Sequence, residues 1–304
     1  MKKLLSLGIL ISILMPPNIY ALDITVGATT WYAWWDGKYE KKNQSVTGGE
    51  REFNISTDPT FLYGPALSLK FNEDFNLTFV YLYGKFEQSD FKKLSGMMGT
   101  VYDTADTIYK RTDADIALNY RLNDYLKIFA GIKYMAYKAE FSGTQSDIPY
   151  VVFIKYTGHN EPTAYGPGLG LNCTLPVIDN LFILGTLSGF YLWGKEKDYV
   201  KIIVDSSYPS VGNNLNDKFN YKEYGINSNL SIAYYITSIS TVISLGGRLQ
   251  YFKTDCGDIK NLLTFIPNGI STTILSNNNN IIYNGNKTHK IYGITLTATY
   301  TFSI

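Results

Sequence analysis

From residue 22 onward the chain alternates two kinds of segment. Ten stretches, at about 22–35, 60–71, 75–88, 109–122, 126–140, 163–175, 181–194, 222–236, 239–253 and 290–304, change character at every second residue. The connections between them alternate in length. Those at 72–74, 123–125, 176–180 and 237–238 are short; those at 36–59, 89–108, 141–162, 195–221 and 254–289 are long. A period of two belongs to a β-strand. A turn of roughly two to five residues joins antiparallel neighbours. The pattern therefore predicts an all-β, up-and-down sheet of ten strands, with every short turn at one end and every long connection at the other.

The faces of these strands are unequal. Tyr63, Pro65, Leu67, Leu69 and Phe71 alternate with Gly64, Ala66, Ser68 and Lys70. Ile226, Leu230, Ile232 and Tyr234 alternate with Gly225, Asn227, Asn229 and Ser231. In a soluble sandwich the apolar face meets a protein core; in a membrane barrel it meets lipid. Periodicity does not separate the two. The aromatics do. Trp31, Trp34, Trp35, Trp193, Tyr63, Tyr165, Tyr224 and Tyr292 fall near the long-connection ends of their strands, and Phe71, Phe75, Tyr120, Tyr234, Tyr300 and Phe302 near the short-turn ends. Amphipathic rings at two heights, with aliphatics between, suit two membrane–water interfaces. Charged residues make up 17% of the chain, below the ~25% usual for soluble domains. A net charge of +1 excludes a nucleic-acid protein on electrostatic grounds.

The first 21 residues, MKKLLSLGILISILMPPNIYA, carry two lysines, an apolar stretch and Pro16-Pro17. They read as a secretory leader cleaved near Ala21, leaving one domain at 22–304. Cys173 and Cys256 fall at opposite ends of the sheet and are expected as free thiols. Four descending strands contain a Tyr-Gly pair: Tyr63-Gly64, Tyr165-Gly166, Tyr224-Gly225 and Tyr292-Gly293. The fifth carries Asp115 where the others carry the glycine.

Keeping each apolar face continuous across the turn at 123–125 pairs Arg121 with Lys127 and Asp115 with Lys133 on the inner face. Asp113 is a second inner acid, and Arg248 and Lys70 also point inward. Two readings follow. The charges of Asp113, Asp115, Arg121, Lys127, Lys133 and Arg248 form a network that fills a narrow lumen, or they line a constriction selecting small, preferentially anionic solutes. His159 and His289 lie in or beside long connections and read as solvated. Cysteines and histidines are too few for a metal site, and no spacing implies a cofactor.

The span 22–304 resembles the integral outer-membrane β-barrels of diderm bacteria. The resemblance implies an outer-membrane location, both termini in the periplasm and long loops outside. It also implies lipid and the barrel-assembly machinery as partners. The last strand, with Ile294, Leu296, Tyr300, Phe302 and Ile304 on one face, resembles the assembly signal of that family, but ends in Ile rather than the usual Phe. Strand count and length are similar to those of the omptin proteases. Asp113-Ala114-Asp115 has the look of their acidic pair, yet neither histidine has the aspartate partner, so no omptin site residue carries over. The reading is a non-enzymatic surface protein of structural or binding type whose loops meet an extracellular ligand or host surface. A narrow porin-like channel is the alternative, and a rim hydrolase a distant third. Strand-like runs at 150–154, 200–204 and 262–275 extend the hairpins beyond the membrane, or raise the count to twelve strands if one pair crosses. Oligomeric state is left open.

Overall fold

The computed structural model describes residues 23–39, 54–96, 99–147, 152–205, 211–256 and 287–303. The expected leader, the run at 262–275 and Ile304 lie outside these residues. The described chain is one antiparallel sheet closed on itself. Its ring is β1 (Asp23–Tyr39), β3 (Thr60–Lys70), β4 (Phe75–Gly96), β5 (Gly99–Arg121), β6 (Leu126–Asp147), β8 (Thr163–Ile178), β9 (Leu181–Asp205), β10 (Val211–Ile236), β11 (Thr241–Cys256) and β12 (Lys287–Ser303), which returns to β1. Two short strands, β2 (Asn54–Ser56) and β7 (Val152–Asn160), add no wall. β7 pairs with β6 and β9, as β8 does, and β2 pairs with β1, as β3 does. Each is the outer part of one descending strand, separated from the rest by a break that ends in proline, at Pro59 and Pro162. A residue without an N–H interrupts a ladder. Twelve strand segments thus build ten walls, and the twelve-stranded alternative is not adopted.

The short turns follow from their sequences. Asn72 Oδ1 accepts from the amides of Asp74 and Phe75 at 2.9 and 2.8 Å, and Asn123 Oδ1 accepts from those of Tyr125 and Leu126, both at 2.9 Å. An asparagine that opens a turn this way replaces ladder bonds the turn breaks. Asn180 takes a φ of 64° in the turn between β8 and β9. Between β10 and β11 a single 3₁₀ turn, Thr237–Ile239, ends at Ser240 with φ 47°. Strand β11 accordingly begins at Thr241 rather than at 239.

The outer face is apolar and the inner face is packed. Leu169, Leu187, Leu230, Ile232, Leu245 and Ile294 are all more than half exposed and point away from the ring. Trp193, Tyr63, Tyr165 and Tyr224 also point outward, and Trp34 stacks on Tyr292 with ring centroids 5.9 Å apart. So large an exposed apolar surface, bounded by aromatic rings, is the surface of a protein that sits in lipid. Ile294, Leu296, Tyr300 and Phe302 share that face. Trp31 and Trp35 do not belong to the belt. Both are fully buried inside the ring. Positions 31, 33 and 35 share one face of β1, and 34 lies on the other, so grouping the tryptophans by height alone misplaces two of them.

The strands run beyond the ten alternating stretches, and the strand-like runs at 152–154 and 200–204 do extend hairpins, in β7 and β9. β9 and β10 have 25 and 26 residues, whereas about 9–11 residues cross a bilayer. The segment read as a long loop at 89–108 is instead hairpin, paired out to Gly96 opposite Gly99. Beyond the belt both faces of a strand meet water or protein, so the alternation that marks the membrane-spanning part fades there.

The Tyr-Gly pairs have a steric cause. A Cβ on Gly64 would lie 2.1 Å from the Tyr81 carbonyl oxygen, and one on Gly166 2.1 Å from that of Tyr191. The neighbouring strand passes so close that no side chain fits, as expected where a narrow sheet bends. Gly168, two residues on, has its nearest atom at 3.6 Å. We predict that Gly166→Ala sharply reduces the yield of folded barrel and that Gly168→Ala leaves it near wild type. Mobility of unheated samples on denaturing gels reads this; equal yields would refute the steric account.

Candidate functional site: the lumen plug

The inner faces of β1, β5, β6, β10, β11 and β12 meet in the half of the barrel nearer the long connections. Arg111 sits at the centre, 1% exposed. Its Nε donates to Asp113 Oδ2 at 3.2 Å and its Nη2 to Asp113 Oδ1 at 3.0 Å. Nη2 also approaches Gln250 Oε1 at 3.4 Å and Met135 Sδ at 3.5 Å. The guanidinium lies 5.4 Å from the Trp35 ring centroid and 5.5 Å from that of Phe252. A cation held by a carboxylate and two aromatic faces tolerates a dry site far better than a bare one.

Around this centre the packing is aromatic. Trp35 makes edge contacts with Phe86, Tyr109 and Tyr137 at 5.4, 5.1 and 5.5 Å. Its Nε1 donates to His289 Nδ1 at 3.2 Å, and His289 stacks on Phe252 at 4.7 Å. His289 is therefore not solvated; it is 1% exposed. Position 289 shares the inner face with Ile291, and that face is full at this height. His159 is half-buried and stacks on Tyr199 at 5.3 Å. Glu223 accepts from Thr254 Oγ1 at 3.1 Å, and Glu196 and Asp198 are buried on the same side.

Lys133 and Asp115 lie next, toward the short turns. Lys133 Nζ donates to Asp115 at 3.0 Å and stands 5.6 Å from the Phe190 ring centroid. Arg248 stacks over Trp31 at 4.6 Å. Below them is a cavity of about 290 Å³, lined by Asp115, Lys133, Arg248, Asn119, Asn172 and Thr186 among others. Its amides are linked: Asn172 Nδ2 donates to Asn119 Oδ1 at 2.9 Å, and Thr186 Oγ1 to Asn172 Oδ1 at 2.8 Å.

The expected network is thus split. Asp113, Asp115 and Lys133 lie near one another, with Arg248 on the same cavity. Arg121 and Lys127 are opposite each other in register, but at the short-turn mouth, where Arg121 pairs with Asp124. Arg111 was not anticipated as a member, although it sits two residues before Asp113 and therefore on the same face. Gln250 and Phe252 also carry no sequence signal beyond alternation. Glu196 and Asp198 carry no such signal, because the apolar–polar alternation of β9 stops at 194. With these residues and Asp23, which pairs with Lys70 at 3.4 Å, the inward acids of the described residues balance the inward bases. A preference for anions requires inward bases to outnumber inward acids, and among the described residues they do not. Among the described residues no group of three His, Cys, Asp or Glu side chains is placed to hold a metal.

No protein-family model and no curated protein matches the chain. Solved structures do. The outer membrane protease OmpT from Escherichia coli superposes with a TM-score of 0.47 at 11% identity, over 94% of this chain and 98% of that one. The translocator domain of the autotransporter NalP from Neisseria meningitidis gives 0.38 at 11%, over 99% and 95%. Ail, the attachment invasion locus protein of Yersinia pestis, gives 0.28 at 14%, over 65% and 97%. These likenesses say nothing of activity, and the barrel assignment rests on the closed ring and its apolar exterior.

Removing one partner of a buried ion pair leaves the other charge uncompensated, which typically costs about 3–5 kcal/mol. Arg111→Ala and Asp113→Ala should each lower the unfolding midpoint in denaturant strongly. Arg111→Met with Asp113→Leu should recover most of the loss. Additive losses in the double variant would mean that the pair is not coupled.

Proposed function

We propose that this protein is an integral outer-membrane barrel with a closed lumen and both termini in the periplasm. Its work is done outside the membrane, by the hairpins that continue β4–β5, β6–β7 and β9–β10. The function is structural or binding, with an extracellular ligand or host surface as partner and with no catalytic role for the lumen. One observation carries this reading. Trp35, Arg111, Asp113, Gln250, Phe252, His289 and Ile291 are each no more than 1% exposed and occupy the interior where a solute would have to pass. A pore needs a continuous wet path; this height is dry and interlocked. The lipid-facing exterior supports the location, and the expected secretory leader agrees with it. The Asp113 and Asp115 carboxylates, each held by its own base deep in the lumen, do not resemble a rim hydrolase.

The channel reading requires the plug to move. We expect refolded protein in a planar bilayer to show no discrete openings, and Trp35→Ala with Arg111→Ala to create them, since this removes the two largest of the seven side chains just named. Wild-type openings whose ion preference changes in Asp115→Ala or Lys133→Ala would replace the closed-lumen reading with a charged constriction.

A further inference from the structure

The polar cavity below the plug measures about 290 Å³, near the lower end of the ~300–1,000 Å³ usual for small-ligand pockets. It is sealed on one side. Toward the long connections stands the dry layer of Trp35, Arg111 and Asp113, each no more than 1% exposed. Toward the short turns the inner side chains meet solvent: Lys70 is 49% exposed and Arg121 35%. A solute can therefore enter from the short-turn end and go no further.

Charged groups face each other across this cavity. Asp115 is on β5 and Arg248 on β11. The same number of strands separates them either way round the ring: β4, β3, β1 and β12, or β6, β8, β9 and β10. On the β5 side both Asp115 oxygens accept from Lys133 Nζ, at 3.1 and 3.0 Å. The Lys133 side chain is 3% exposed and that of Asp115 37%, so the cavity meets the carboxylate rather than the ammonium. On the β11 side Arg248 has no carboxylate. Among the described residues it makes no ion pair and no hydrogen bond, and its guanidinium rests on the Trp31 ring. Stacking occupies the flat face of a guanidinium and leaves its N–H edge free. Asn227 also lines the cavity, and its Oδ1 is buried without a hydrogen-bond partner among the described residues. A buried acceptor left open is costly until something donates to it.

The groups left open are thus a guanidinium edge, an amide oxygen and the exposed side of a carboxylate. Lys133 and Arg248 are two bases against one acid, Asp115, while Arg111 and Asp113 above neutralise each other. A ligand that balances the cavity carries one negative charge, and its other polar groups are neutral donors. We propose that the cavity binds a small polyhydroxylated monocarboxylate, of the sugar-acid class. The carboxylate takes the Arg248 fork, as planar bidentate pairing favours. One hydroxyl donates to Asp115 and another to Asn227 Oδ1. Phe129 and Phe190, also on the cavity, give the carbon chain an apolar wall. The pocket holds its ligand and does not pass it. Only the side of entry rests on the membrane reading above, under which the short-turn end opens to the periplasm.

The test is calorimetric titration of the full chain, folded in neutral detergent micelles, with gluconate, glucose or acetate. Glucose keeps the hydroxyls without the carboxylate, and acetate the carboxylate without the hydroxyls. Wild type should bind gluconate saturably and the other two at least about tenfold more weakly, the worth of a charge-assisted hydrogen bond. Arg248→Gln should lose about tenfold or more for gluconate on the same grounds. Lys70→Gln removes an equal charge from the inner face outside the cavity and should change affinity less than about threefold. No gluconate binding by wild type, acetate or glucose bound as tightly as gluconate, or equal losses in the two variants would each overturn the proposal. If Arg248→Gln does not fold, Asn227→Asp decides: a second carboxylate there should abolish gluconate binding, and unchanged affinity refutes the pocket. Binding in micelles needs neither a bilayer nor a fixed orientation, so this titration and the bilayer recordings fail independently.

Discussion

In hydrocarbon a backbone N–H or C=O has no water to turn to, and each one left unpaired costs several kcal/mol. Sheet closure is therefore the constraint on which the rest of this structure depends. The chain meets it by pairing its last strand with its first along their whole length, from Asp23 opposite Ser303 to Tyr39 opposite Lys287. The inner side of that seam is finished by hydroxyls. Thr25 and Thr301 meet at 2.9 Å, and Thr29 and Thr297 at 2.7 Å. The regular alternation of the C-terminal residues is thus a consequence of closure: one face of β12 belongs to lipid and the other to the lumen.

Ten strands make a tight ring, and tightness sets the inner residues. Where the neighbouring strand passes closest, only glycine clears its carbonyl, as at Gly64 and Gly166. Elsewhere the interior is small enough for a single layer of large side chains to fill it. Arg111 is large enough to bridge from β5 to Gln250 on β11 and rigid enough to be sandwiched by two rings. A lysine there would lack the planar face that Trp35 and Phe252 hold.

Much of this was legible from sequence, and the exceptions share a cause. The ring, its short turns, and the opposition of Asp115 to Lys133 follow from a strict period of two and from turn chemistry, both local. Local reasoning fails when a residue's neighbours come from distant strands. Trp31 and Trp35 looked like belt residues because tryptophan at that height usually is one; only the register of β1 turns them inward. His289 looked solvated because nothing near it in sequence hints at Phe252 and Trp35. The alternating stretch of β9 stops at 194 because, beyond the belt, Glu196 and Asp198 are buried while Lys195 and Lys197 are exposed, so the alternation there is between two kinds of charge rather than between apolar and polar.

The position of the plug bears on what the barrel is for. It fills the half nearer the long hairpins and leaves the polar cavity toward the short turns. A barrel that filters solutes would gain from a constriction lined by water and reached from both ends. Here the dry layer is continuous with the bases of the hairpins through β5, β6 and β9, which run unbroken from the lumen wall into them. Packing at Trp35 and Arg111 then stiffens the platform from which those hairpins rise, and under the proposed binding role a stiff platform lowers the entropy lost on meeting a partner.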